Sequence, residues 1–133
     1  MTRYIGLLDG AEGAYGIAFP DLAGCTAMGT TADEAYDNAV AALAEWLADA
    51  GSAGPPPRSI EALRRDPDVI EALSEGALAV AVPVIIETGR PVKANLSLDQ
   101  GLLAAIDAAA RARGITRSAF VASAARDKIL AGG

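Results

Sequence analysis

The chain contains no histidine and one cysteine, Cys25, among its 133 residues. Without histidine there can be no zinc site built on imidazole, no Ser-His-Asp triad and no histidine acid–base chemistry. One cysteine cannot close an internal disulfide, which suits a reducing, cytoplasmic setting. Aromatic residues make up only 5%, too few for a base-stacking platform, so Tyr4, Tyr36 and Trp46 read as core or interface groups. No apolar run approaches the roughly 18 residues of a membrane-spanning helix. Met1-Thr2-Arg3-Tyr4 leads into a strand-like segment rather than a signal peptide. The expectation is a cytoplasmic protein with no membrane partner.

What is abundant is apolar side chain, at 52%, enough for a packed core. The net charge of −6 argues against nucleic acid if taken as an average, but the charge is unevenly spread. Residues 1–88 carry fourteen acidic and four basic side chains, a net of −10, whereas residues 89–133 carry three acidic and seven basic, a net of +4. An acidic module joined to a nucleic-acid-binding one has this asymmetry. The expected domains are therefore 1–88 and 89–133.

In the first of these, Tyr4–Leu8 and Ala14–Phe19 are apolar runs separated by the turn-forming Asp9–Gly13, which predicts a hairpin. Pro20–Gly24 is a loop, and Cys25–Gly29 a short third strand. Thr31-Ala32-Asp33-Glu34 has the capping-box pattern, with the Thr31 hydroxyl meeting the Glu34 amide and Glu34 reaching back to the Thr31 amide. The helix it opens shows Tyr36, Val40, Leu43 and Leu47 at helical spacing and stops near Gly51. Gly51-Ser52-Ala53-Gly54-Pro55-Pro56-Pro57 is a loop with a stiff end. Ser59–Arg65 allows one or two helical turns, and Asp66-Pro67 starts another helix that Gly76 ends. Leu78–Ile86 is β-like, with Pro83 marking an edge or a kink. The order predicts an antiparallel sheet with a helix on one face, hence an α+β chain.

Gly89-Arg90-Pro91 reads as a hinge. In residues 92–98, Val-Lys-Ala-Asn-Leu-Ser-Leu, the side chains of Ala94, Leu96 and Leu98 share one face of a strand and Lys93, Asn95 and Ser97 the other. Asp99 is placed to cap a helix to about Arg113, with Ser97 the weaker candidate; Leu102, Leu103, Ile106 and Ala110 line its apolar side. Gly114 ends it, and Thr116 caps a second helix with Phe120, Val121, Ala124 and Ile129 available for burial.

A single strand followed by two helices is too small to close a core, and the strand has no partner. Two copies answer both needs by pairing their strands antiparallel and sharing a core, a homodimer through the ribbon. The ribbon's polar face then fits the major groove: Lys93 donates to guanine or phosphate, Asn95 donates and accepts at adenine, and Ser97 bonds several bases. Thr116, Arg117 and Ser118, at the amide-rich start of the second helix, suit a phosphate anchor. The bland alternative is an amphipathic strand whose polar face meets only water.

Residues 92–130 resemble ribbon–helix–helix repressors, above all in the Val92–Leu98 run and in Gly114-Ile115-Thr116-Arg117-Ser118-Ala119-Phe120. The resemblance implies base reading by Lys93, Asn95 and Ser97 and phosphate contact by Thr116, Arg117 and Ser118. Ala94 is smaller than the usual apolar residue at its position. The N-terminal part is similar to HicB antitoxins in Phe19-Pro20-Asp21-Leu22-Ala23-Gly24-Cys25, in Gly29-Thr30-Thr31-Ala32-Asp33-Glu34-Ala35 and in Tyr15. That resemblance implies a partial RNase H-like domain, a HicA-type RNA-cleaving toxin as partner and repression of the operon through operator DNA. The −10 charge independently suits a basic, RNA-gripping partner, although no single toxin-contact residue stands out.

No cofactor, metal or catalysis is expected. Asp9, Glu12, Asp21 and Asp33 are imaginable magnesium ligands, as in active nucleases, but each sits in a turn, loop or cap with a local role. Cys25 lacks a base to activate it and reads as a small buried residue. The rival reading is a stand-alone ribbon–helix–helix repressor whose N-terminal domain senses a ligand. Pairing of the N-terminal domains as well would make a tetramer.

Overall fold

Strand β1 (Thr2–Ala11) runs antiparallel to β2 (Ala14–Ala18), with Ala11 opposite Ala14, so the turn is only Glu12-Gly13. Gly13 has φ of 92° and Gly10 of 112°, left-handed values that favour glycine. The hairpin is longer than the apolar pattern predicts. Asp9, Gly10 and Ala11 stay in the ladder because backbone pairing is indifferent to side-chain polarity at an exposed end. The computed structural model describes residues 1–51 and 54–131, so part of the Gly51–Pro57 loop (Ser52 and Ala53) lies outside the described residues.

Strand β3 (Thr26–Gly29), helix α1 (Ala32–Asp49), the single turn α2 (Ile60–Leu63), helix α3 (Pro67–Ser74) and strand β4 (Leu78–Val84) follow. The four strands form one antiparallel sheet in the order β3-β2-β1-β4. Pro83 lies in β4, an edge strand, where a missing N–H costs no ladder bond on the open side.

Helix α1 packs across this sheet through Ala35, Ala39, Leu43 and Leu47. Tyr36 and Val40, expected at the centre of the stripe, flank it half-buried. The reason is size: two alanines on the central line let the helix axis approach the strands, and the larger residues fill the sides. The core adds Tyr4, Ile17, Phe19, Leu22, Cys25, Val82 and Val84, all buried. Fully burying a side chain such as Leu43 stabilises the fold by roughly 1.5–3 kcal/mol. Two polar side chains of α1 also reach edge strands of the sheet. Asn38 Nδ2 donates to the Met28 carbonyl at 2.7 Å, and Tyr36 Oη donates to the Ala81 carbonyl at 3.3 Å. Carbonyls on β3 and β4 are thereby occupied, a partial protection of both edges.

The Thr31 hydroxyl caps α1 by accepting from the Glu34 amide at 3.1 Å. The return bond differs from the expected box: the Glu34 carboxylate accepts from the amide and hydroxyl of Thr30, not from the Thr31 amide. Ser59 caps α2 and Asp66 caps α3, with Pro67 in the first turn of α3.

The chain divides into two compact units, Met1–Ile86 and Glu87–Gly133. The second contains α4 (Gln100–Ala112), capped by Asp99, and α5 (Arg117–Leu130), capped by Thr116. Asp99, not Ser97, accepts from the amides of Gly101 and Leu102 at 2.8 and 3.2 Å. Between the helices Gly114, with φ of 66°, closes α4. Its amide donates to the Arg111 carbonyl, and the next amide, Ile115, donates to the Ala110 carbonyl. This is the glycine-ended pattern that satisfies carbonyls the helix leaves free.

The expected strand over residues 92–98 is not formed in the single chain; the segment carries neither helix nor strand. A strand needs a ladder partner, and among the described residues no strand of the same chain pairs with this segment.

Candidate nucleic-acid interface

The motif around Asp21 is built for packing. Phe19, Leu22 and Cys25 point into the core, and three backbone bonds tie the loop: Leu22 N–H to Phe19 O, Cys25 N–H to Leu22 O and Phe19 N–H to Cys25 O. Burial pushes the Cys25 thiol up, the reverse of an activated nucleophile. The Asp21 side chain, only 4% exposed, accepts from both the backbone amide and Nε of Arg58. The same guanidinium donates to Asp66 at 2.9 Å, and that bond holds the Asp66 carboxyl below its ordinary value. Tyr4 Oη donates to the Pro55 carbonyl at 2.7 Å, and burial, with Asp21 nearby, raises the Tyr4 hydroxyl. Arg58 and Tyr4 thus fasten the proline-rich segment to the sheet. Nothing local marks Arg58, which lies 37 residues from Asp21. Asp9, Glu12, Asp21 and Asp33 do not converge. Asp9 accepts from the adjacent Gly10 amide, and among the described residues no three acidic or cysteine side chains are placed to hold a metal ion.

In the second unit Lys93, Asn95, Ser97, Thr116, Arg117 and Ser118 are all exposed. The Thr116 hydroxyl is occupied, accepting from the Ala119 amide at 3.1 Å. Arg117 is also engaged: Nε and Nη2 donate to the two oxygens of Asp107, each at 2.8 Å. That two-point bond, with Arg111 contributing more weakly, holds the Asp107 carboxyl below the usual carboxylate range. Arg126 makes a similar pair with Glu87, at 2.9 and 2.7 Å. Arg113 lies 5.4 Å over the Phe120 ring, within reach of a cation–π attraction. Asp107 and Arg117 sit on different helices across the Gly114 turn, so their pairing has no signature in residue spacing.

An open groove of about 840 Å3 runs between residues 92–98 and the helices. It brings together Asn95, Ser97, Arg117 and Ser118 with the apolar Val92, Leu96, Leu98, Leu103 and Val121. Lys93 and Thr116 do not line it. Among the described residues of this unit only Ala110 is buried, and Val92 and Leu96 are 87% and 65% exposed. The helices bury one face shallowly and leave aliphatic surface that a single copy does not cover.

Two charge fields follow from the division at Ile86. The first unit carries thirteen acidic and four basic side chains, a net of −9, and the second four and seven, a net of +3. Among the described residues no helix is long and apolar enough to cross a membrane.

The first unit is thus acidic and α+β, and the second is basic and helical. The sequence profile of the family described as HicB_like antitoxin of bacterial toxin-antitoxin system matches residues 4–125. The chain belongs to this family of HicB-like antitoxins. Solved structures agree. The antitoxin HicB of Burkholderia pseudomallei is 26% identical, with TM-score 0.52, each chain covered completely. The antitoxin HicB3 is 32% identical, with TM-score 0.51, over 97% of this chain and 98% of that one. A chain of the HicA3 and HicB3 toxin–antitoxin complex is 26% identical, with TM-score 0.50, over 64% of this chain and all of that one. No curated protein sequence matches the chain.

Proposed function

We propose that this antitoxin binds and neutralises a HicA-type RNA-cleaving toxin through residues 1–88, and that residues 89–133 form a ribbon–helix–helix dimer that represses its own operon. The observation that carries the reading is the family match over residues 4–125, which runs through both the acidic and the basic unit. A solved relative stands in a complex with a HicA3 toxin, and a net charge of −9 attracts a partner basic enough to hold RNA. In this reading the sheet and α1 are the partial RNase H-like domain, with no catalysis required of it.

The dimer is supported by the unclosed core of the second unit. A second copy would pair its residues 92–98 antiparallel to the first, turning Ala94, Leu96 and Leu98 inward and covering the exposed aliphatic surface. Lys93, Asn95 and Ser97 would then stand on the outer face as the base readers, and Thr116, Arg117 and Ser118 beside the backbone, where Thr116 serves through its cap.

Fluorescence anisotropy on DNA from upstream of the gene tests the DNA half. The wild type should bind specifically and in a salt-sensitive manner, and Lys93→Ala/Asn95→Ala should lose the specificity. Absence of binding with and without the toxin would reduce the second unit to a dimerisation device.

A further inference from the structure

The sheet of the first unit has two faces of unlike burial. The face toward α1 carries Tyr4, Ile17, Val82 and Val84, all in the core. On the opposite face the ladders align Ile5 with Ala81, Leu7 with both Ala79 and Ala18, and Gly16 with Met28. Residues directly opposite one another project to the same side of a sheet, so one aliphatic patch spans all four strands. None of its side chains belongs to the core cluster. Ile5 and Leu7 are half-buried, Ala18, Ala79 and Ala81 are exposed, and Met28 is 68% exposed.

An antiparallel sheet covered on one side commonly turns polar residues to the other. Here the outer face has Thr26 beside Ala18, and the charged Arg3 and Asp9 stand only toward the two ends of β1. Alanine and glycine are also poor strand formers. Their use on this face leaves it shallow, so that another surface can approach closely. A contiguous exposed apolar patch of this kind marks a contact surface. Charge selects what covers it. The unit carries a net of −9, with Asp9 on the same face, Glu12 in the turn after β1 and Glu75 shortly before β4. A second copy would set −9 against −9, and nucleic acid is repelled likewise, whereas a protein with a basic surface is attracted.

We propose that the outer face of the sheet, centred on Leu7, is the surface that docks the basic toxin. Ile5, Leu7 and the three alanines form the dry centre of the contact, and Asp9 and Glu12 stand at its rim. The proposal rests on the neutralisation reading and adds to it the surface that does the binding. The apolar centre governs how slowly the complex dissociates, and the acidic rim how fast it forms.

The test is surface plasmon resonance of the full chain on an immobilised HicA-type toxin. Ala18→Lys and Ala79→Lys set a positive charge into the centre and against a basic partner. Each should weaken binding by about tenfold or more, mainly through faster dissociation. Glu45→Lys lies at an exposed position of α1, on the other side of the sheet. It changes the net charge twice as far, yet should slow association only, by about threefold or less. Thermal melts establish that each variant is folded, and light scattering reports the assembly of the free antitoxin. Wild-type affinity in both alanine variants would take docking off this face and leave neutralisation intact. A loss in Glu45→Lys as large as theirs would reduce the effect to net charge and also overturn the proposal. A smaller assembly of the free Ala18→Lys chain would make the face a contact between copies instead. If the wild type does not bind the toxin, the neutralisation reading fails, and the face loses its occupant with it.

Discussion

At the scale of single residues, much of the chemistry here is side chains placed to restrain other side chains. Arg58 holds Asp21 and Asp66, and Asp107 holds Arg117. Asn95 is different: it is exposed on residues 92–98 and enters the groove lining beside Ser97. As a base reader it should account for discrimination at its position, so Asn95→Ala is expected to relax sequence preference by roughly 1–3 kcal/mol per contacted base. Binding to a panel of single-base operator variants measures this, and an unchanged profile would take Asn95 off the reading face. Acid tests the ion pairs. Asp66, Glu87 and Asp107 have folded-state values depressed by Arg58, Arg126 and Arg117 respectively. Their stabilisation is therefore present above the ordinary carboxylate range and is lost as pH falls through the depressed folded values. Thermal melts should hold steady from neutrality to about pH 5 and decline below about pH 4, modestly because the pairs are exposed. A rise in stability on acidification would contradict these assignments.

At the scale of elements, the legible parts were those specified by neighbours in the chain. The Thr31 and Thr116 caps, the Pro67 start and the Gly114 stop each depend on groups within a few residues, and all stand where the pattern puts them. The edge position of β4 is one of the two readings, an edge or a kink, that Pro83 offered. What was not legible depends on distance along the chain or on shape. Arg58 meets Asp21 across 37 residues. Glu34 turns to Thr30 instead of Thr31, and the buried line of α1 shifts to Ala35 and Ala39 because close approach favours small residues. The cap on α1 can be weighed directly. Thr31→Ala removes the acceptor for the Glu34 amide and should destabilise the chain by about 1 kcal/mol, read as a lower urea midpoint with an unchanged slope. A change within error would mean that the Glu34–Thr30 bonds suffice at this helix end.

At the scale of the whole molecule, the two units solve the burial problem differently. The first closes a core around Tyr4, Leu43 and Val82 within one chain, whereas the second leaves Val92, Leu96, Leu98 and Leu102 uncovered. The strand expected over residues 92–98 is the clearest case of structure that one chain cannot express, since its ladder partner belongs to another copy in the proposed dimer. Truncation after Thr88 should accordingly abolish dimerisation through the ribbon while sparing toxin binding. Light scattering coupled to gel filtration reports both, and loss of the two together would show that the functions do not divide there. Lys93, Asn95 and Ser97 were legible as candidates because alternation would place them on one face of a strand, and Thr116, Arg117 and Ser118 because they open α5. Toxin contacts were not, because acidic side chains spread over a surface have no periodic signature.

The most direct test of the account is the RNA-cleaving activity of a HicA-type toxin, measured while the full chain is titrated in. Neutralisation predicts that cleavage falls to background once the antitoxin is in molar excess, and that residues 1–88 alone have the same effect. Undiminished cleavage at saturating antitoxin would contradict it.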